Sequence, residues 1–145
     1  MPKINSANPT ISLQDINLFQ NENEVNLPQS YVEFLLKYNG GYPEESNFKI
    51  SEEQGESLVN KFYGLGDMKS NLGKVFDLLE EEIPKEFISI ANDPGGNEIL
   101  IGVSGKFKGK IYFWVHDIEP ENEMGNMFIL ADDFDEFLNN LYRVE

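Results

Sequence analysis

Apolar residues recur along this chain in two rhythms, one of period near 3.6 and one near 2, and the switch between them separates helices from strands. Tyr31, Phe34, Leu35 and Tyr38 fall at i, i+3, i+4 and i+7, the spacing of one buried helical face. They sit in the segment Leu27-Pro28-Gln29-Ser30-Tyr31-Val32-Glu33-Phe34-Leu35-Leu36-Lys37-Tyr38-Asn39-Gly40-Gly41. Pro28 suits the first turn, where its missing N–H is harmless. Asn39, Gly40 and Gly41 can take the left-handed conformation that ends a helix, and Pro43 prevents its resumption. Upstream, Ser12-Leu13-Gln14-Asp15 predicts a helix start: Ser12 caps free N–H groups and the acid favours the positive helix end. Leu13, Ile16 and Phe19 or Gln20 then share a face. Leu72, Val75, Phe76 and Leu79 predict a further helix, which Pro84 closes, and residues 132–141 a C-terminal one, acidic at its start as the dipole prefers.

Alternation takes over elsewhere. Residues 48–50 and 59–65 read as strands separated by an acidic loop, and residues 87–91 as a short strand before the turn Asn92-Asp93-Pro94-Gly95-Gly96. Residues 98–103 and 110–116 are the strongest strands, joined by a hairpin loop at 104–109, and residues 126–130 form the last. Helices first, then mostly consecutive strands, then a helix: this order predicts an α+β fold with a mainly antiparallel sheet, flanked by N-terminal helices and a C-terminal helix. No repeat or low-complexity linker divides the chain. The expectation is one domain over residues 11–145, preceded by a loose lead-in at residues 1–10, which hold two prolines and little pattern.

Composition narrows the function classes. Of 145 residues, 40% are hydrophobic and 12% aromatic, enough for a real core. No apolar run is long enough for a membrane span, and the N-terminus lacks the apolar stretch of a signal peptide. There are no cysteines, which excludes disulfides and thiolate metal sites and agrees with a cytoplasmic protein. Eleven Lys and Arg face twenty-six Asp and Glu, a net charge of −15. Such a chain repels nucleic acid and anionic lipid and attracts a basic partner; the excess also serves simple solubility.

Residues for chemistry are scarce. His116 is the only histidine, and Asp117 beside it points to the other face if both lie on a strand, so it reads as structural rather than catalytic. Zinc lacks ligands. Asp117, Glu119, Glu121 and Glu123 alternate like calcium ligands, but Asn122 stands where the loop needs glycine; together with Asp132, Asp133 and Asp135 they read as solvated acids. With so many carboxylates, a close pair carries no specificity for glycosidase chemistry. Asp93-Pro94-Gly95-Gly96-Asn97 lacks the Lys-Ser/Thr of a phosphate loop and reads as a strand-connecting turn. Lys106, Lys108 and Lys110 around Phe107 are the one basic cluster, and a solvated hairpin tip accounts for them. No cofactor is expected.

The stretch from Leu27 to Pro43, with its Leu-Pro start, its Tyr before Phe-Leu and its Asn-Gly-Gly end, resembles the hallmark helix of the SUKH superfamily. That superfamily includes the fungal Smi1/Knr4-type regulators of cell-wall synthesis and many bacterial immunity proteins. Residues 87–97 are similar to the family's next strand and Gly-Gly turn, Lys110 to Asp117 to the following strand with Trp114 and His116, and Phe134-Asp135-Glu136-Phe137-Leu138 to its C-terminal helix. Asn97 departs from a frequent family Asp, and residues 50–59 have no clear counterpart. The resemblance implies an α+β fold, no enzymatic activity and, for a bacterial member, direct binding of a toxin, often a nuclease. Its motif residues have packing and backbone roles. The expected function is therefore an immunity protein occluding a basic toxin, with a regulatory scaffold or adaptor as the alternative and an enzyme or small-ligand module as the third class. Candidate contacts are Glu44, Glu45, Glu52, Glu53 and Glu56 after the hallmark helix, and Asp117, Glu119, Glu121 and Glu123 as a second patch.

Overall fold

The computed structural model of the chain describes residues 3–68, 71–119 and 124–144. In chain order it contains β1 (Ile4–Asn5), α1 (Leu13–Asn23), α2 (Gln29–Tyr38), β2 (Tyr42–Pro43), β3 (Asn47–Ser51), β4 (Gly55–Leu58), β5 (Lys61–Phe62) and α3 (Leu72–Leu79). There follow β6 (Phe87–Asn92), β7 (Glu98–Gly102), β8 (Ile111–Trp114), β9 (Met127–Ala131) and α4 (Phe134–Asn140). Strands β5 to β9 form one sheet in sequence order, every neighbouring pair antiparallel. β3 and β4 make a separate hairpin, and β1 pairs with β2. The class is α+β, as the order of elements predicts.

Alternation along the strands sorts the side chains between two faces. Ile88, Ile99, Ile101, Ile111 and Phe113 join Ile16, Phe19, Tyr31, Phe34, Leu35, Phe134, Phe137 and Leu138 in the main core, between the sheet and its helices. Their strand neighbours Phe87, Leu100, Trp114 and Met127 form a second cluster, with Phe107 packed against it. Because both faces are covered, β7 reads as the continuous run Ile99-Leu100-Ile101 rather than as alternating apolar and polar residues. Aromatic rings join the layers edge to face: Phe34 to Phe62 and to Phe134 at 5.0 Å each, Tyr31 to Phe134 at 5.3 Å, and Phe48 to Phe113 at 5.3 Å. Such pairs contribute roughly 0.5–1.5 kcal/mol each beyond their burial.

The end of α2 organises the chain around it. Asn39 closes the helix in the left-handed conformation, at φ 52°, and Gly40 and Gly41 follow at φ 89° and 117°. A Cβ on Gly40 would lie 2.7 Å from the Phe62 carbonyl oxygen, and one on Gly41 2.7 Å from that of Asn5, so this crossing admits only glycine. The Asn39 side chain is buried. Its amide donates to the carbonyls of Pro9 (2.9 Å) and Leu65 (2.8 Å), and its Oδ1 accepts from the Leu65 N–H (2.8 Å).

Three expectations are corrected. Residues 3–9 are not a loose lead-in. Ile4 is buried, β1 pairs with β2, the Ser6 hydroxyl donates to the Tyr38 carbonyl, and the Asn8 amide donates to that of Asn39. The prolines there mark extended chain, and that chain satisfies the free carbonyls at the end of α2. Residues 59–65 are not one strand: Val59 and Asn60 separate β4 from β5, where the chain leaves the hairpin and joins the sheet. The acidic stretch before it is the hairpin itself, turning at Glu52-Glu53-Gln54. Leu13 is 53% exposed, because side chains lean toward a helix N-terminus and α1 begins there; Ile16 and Phe19 are its buried residues.

Asn39→Ala removes the partner of both buried Leu65 backbone groups and of the part-buried Pro9 carbonyl, and puts alanine in the left-handed region. It should lower stability by about 3 kcal/mol or more, read from the urea midpoint. Tyr31 gives the opposite case: its hydroxyl is buried with no hydrogen-bond partner among the described residues, and burial holds its pKa far above the usual phenol value. Tyr31→Phe should leave the urea midpoint unchanged or raise it, by up to about 1 kcal/mol; a clear loss would show that the hydroxyl has a stabilising role.

Candidate functional site

Asp93 builds the turn between β6 and β7. Its Oδ1 accepts the N–H groups of Gly95 (2.9 Å) and Asn97 (2.8 Å), and its Oδ2 accepts the Asn97 side-chain amide (3.1 Å) and the Ser57 hydroxyl (2.9 Å). Asn97 in turn accepts the His116 backbone N–H at 3.0 Å, and the imidazole Nε2 lies 2.9 Å from the Gly95 carbonyl oxygen. These bonds join β4, the β6–β7 turn and the end of β8. The phosphate-cradle idea fails on this geometry, since the turn's N–H groups point at its own aspartate.

Beneath the turn, Glu98 is 9% exposed, and its carboxylate accepts the Tyr63 hydroxyl (2.6 Å) and the Ser89 hydroxyl (2.7 Å). Burial pushes its pKa above the ordinary value, opposed by those two hydrogen bonds. The Tyr63 phenol is pushed well up, first by burial and then by the Glu98 charge. Both serine hydroxyls donate to carboxylates, and among the described residues none bonds to His116, so no nucleophile–base pair forms here. Among the described residues, no three His, Asp or Glu side chains converge as metal ligands, and no helix is long and apolar enough to cross a membrane. The basic hairpin tip also resolves: Phe107 packs on Phe87 at 5.1 Å rather than standing free beside its lysines.

The acids named from sequence are dispersed. Glu44 and Glu45 precede β3, while Glu52 and Glu53 turn the hairpin at its far end. The five residues of β3 separate them by about 16 Å. Three of the five are locally engaged: Glu44 lies 3.8 Å from the Lys3 ammonium, Glu52 pairs with Lys49, and Glu56 accepts the Tyr142 hydroxyl. Glu45 and Glu53 are exposed and make no such bond among the described residues. Asp117 and Glu119 are exposed just after β8. Glu121 and Glu123 lie outside the described residues. The Ser57–Asp93 and His116–Gly95 bonds do bring the strand carrying Glu56 and the turn carrying Asp117 to the same 93–97 turn.

Sequence reasoning named no concavity. A concavity of about 500 Å³ lies between α1 and α3. Its carboxylates, Asp15, Glu22 and Asp77, come from two helices far apart in sequence. The spacing of Asp15, Leu18 and Glu22 on one helical face is the signal that could have drawn notice to it.

Comparison with known proteins adds two findings. The profile of the SMI1 / KNR4 family (SUKH-1) matches residues 10–140. A Bacillus subtilis (strain 168) protein, described as an SPbeta prophage-derived uncharacterized protein YokK, is 30% identical across 79% of this chain. The match covers 66% of that relative, just under two thirds of its length.

Glu98 generates a pH-dependent expectation. A carboxyl with a raised folded-state pKa binds protons more readily folded than unfolded, so its share of stability is largest at low pH. That share falls as pH rises from the ordinary value of 4.5 through the folded one. Glu98→Gln removes this slope. Compared with the wild type by urea denaturation, the variant should gain in relative stability from about pH 4 to about pH 8; a constant offset would show that the folded state does not raise the Glu98 pKa.

Proposed function

Since the chain belongs to the SMI1 / KNR4 family (SUKH-1), we propose that it is an immunity protein that binds a toxin directly and blocks it by covering its working surface. Family membership carries this reading. The prophage-derived description of the relative fits it. The charge of −15 supports a basic target, a nuclease being the type case, because a cleft that holds nucleic acid is itself positive. The partner supplies the reaction centre, and this chain supplies a rigid polyanionic surface in the cytoplasm where the target would act.

Acids without a local cation have the most to gain from such a partner. Among the described residues, Glu45, Glu53, Asp117 and Glu119 fit that description, and Glu44, Glu52 and Glu56 would first have to exchange their present partners. Steering acts over about 8 Å at physiological salt, so the dispersed acids raise the encounter rate together even where few of them touch the partner.

The test is to read the genes beside this one for a protein ending in a toxin domain and to co-express that domain with this chain. Cells should survive only with the intact immunity chain, and the two proteins should co-purify. Their association rate should fall roughly tenfold or more between about 10 mM and about 150 mM salt. Neither protection nor complex would end the immunity reading; protection with a salt-insensitive rate would end the charge-steering part alone.

A further inference from the structure

The groove between α1 and α3 combines three properties. It is concave, at about 500 Å³ within the range of ligand-binding clefts. Its wall is apolar, with Ile11, Leu18 and Phe19 among the lining residues, and Leu18 is 57% exposed. Among the described lining residues, Asp15, Glu22 and Asp77 are set against a single cation, Lys74. On α1 these residues alternate along one face, acid, leucine, acid, at positions 15, 18 and 22. The Phe19 and Phe76 rings, edge to face at 6.4 Å, hold the two helices together beside the groove.

An exposed leucine alone is ordinary. A leucine inside an acid-lined concavity is chemically specific, because a long basic side chain matches both halves at once. Its methylene stem lies on apolar surface while its charged head reaches carboxylate, and an arginine fork can take two oxygens together. Asp15 is suited to this. Both Ser12 bonds fall on its Oδ2, leaving Oδ1 its full accepting capacity, and those bonds hold its pKa below the usual carboxylate value.

We propose that the α1–α3 groove is the docking site for a basic segment of the protein partner, an arginine or lysine beside an apolar residue, seated between Leu18 and the carboxylates of Asp15, Glu22 and Asp77. The identity of the occupant as a protein rests on the binding function proposed above. The groove itself rests on its own geometry, and the two can fail separately.

The probe is a short capped peptide, Gly-Arg-Leu-Arg-Gly, titrated into the isotope-labelled full chain at low salt and followed by amide NMR shifts. A Glu-for-Arg peptide serves as the control. Saturable shifts at α1 and α3, absent with the control peptide, are expected. The triple variant Leu18→Ser, Glu22→Gln, Asp77→Asn should weaken binding by roughly tenfold or more, since three contacts are removed at once. These positions are exposed, and Asp15 is left intact to keep the helix cap, so an unchanged spectrum elsewhere certifies the fold. Shifts spread over all acids alike, Glu45 and Glu53 included, or unchanged affinity in the triple variant, would overturn the groove. If the wild type protects cells and the triple variant protects them equally, the groove again fails while the immunity function stands. If the peptide binds here and no toxin is neutralised, the groove stands and the immunity function fails.

Discussion

The Asn39 side chain meets one local demand: the N–H and carbonyl of buried Leu65, and the part-buried carbonyl of Pro9, find their partners on it at the end of α2. A helix end leaves its own carbonyls free as well, and here the Ser6 hydroxyl and the Asn8 amide take those of Tyr38 and Asn39. One short polar residue in the left-handed conformation therefore holds the N-terminal segment, the hallmark helix and the approach to α3 in register. Gly40 and Gly41 are what let the backbones pass close enough for this to happen. The Asn-Gly-Gly signature is thus a structural requirement, and its presence identifies a fold before it says anything about a partner.

With that corner held, the sheet can be covered on both faces. The helices bury one side, and Phe87, Leu100, Trp114 and Met127 with Phe107 cover part of the other. The polar end of the sheet is closed differently, by Asp93 gathering four donors and by Glu98 beneath it holding two hydroxyls. A buried carboxylate pair costs desolvation, and here it is offset by hydrogen bonds rather than by cations. His116 belongs to this closure: its ring and its backbone N–H both serve the turn.

Binding then falls to what the fold leaves outside. The acid excess spreads over a hairpin, a turn after β8 and the facing sides of α1 and α3 rather than concentrating in one patch. Dispersed charge favours encounter, while concave apolar surface favours residence, and the two demands select different residues. The hairpin acids named from sequence are suited to the first, and the α1–α3 groove to the second.

Local chemistry in the sequence determined the four helices and the strands β6 to β9, the Ser12–Asp15 cap and the chain reversal after Tyr38, because each depends on residues a few positions apart, and composition set the sign of the surface. Only the tertiary structure decided that residues 3–9 are pinned, that the acidic loop is a hairpin, that three of its five acids are already engaged, and that two helices enclose an acidic groove. The deciding bonds join residues 26 to 86 positions apart: Asn39 to Leu65, Asn39 to Pro9, Ser57 to Asp93 and Tyr142 to Glu56. Periodicity is blind at that range, since the pairing of two polar groups is set by where the packed core leaves each of them.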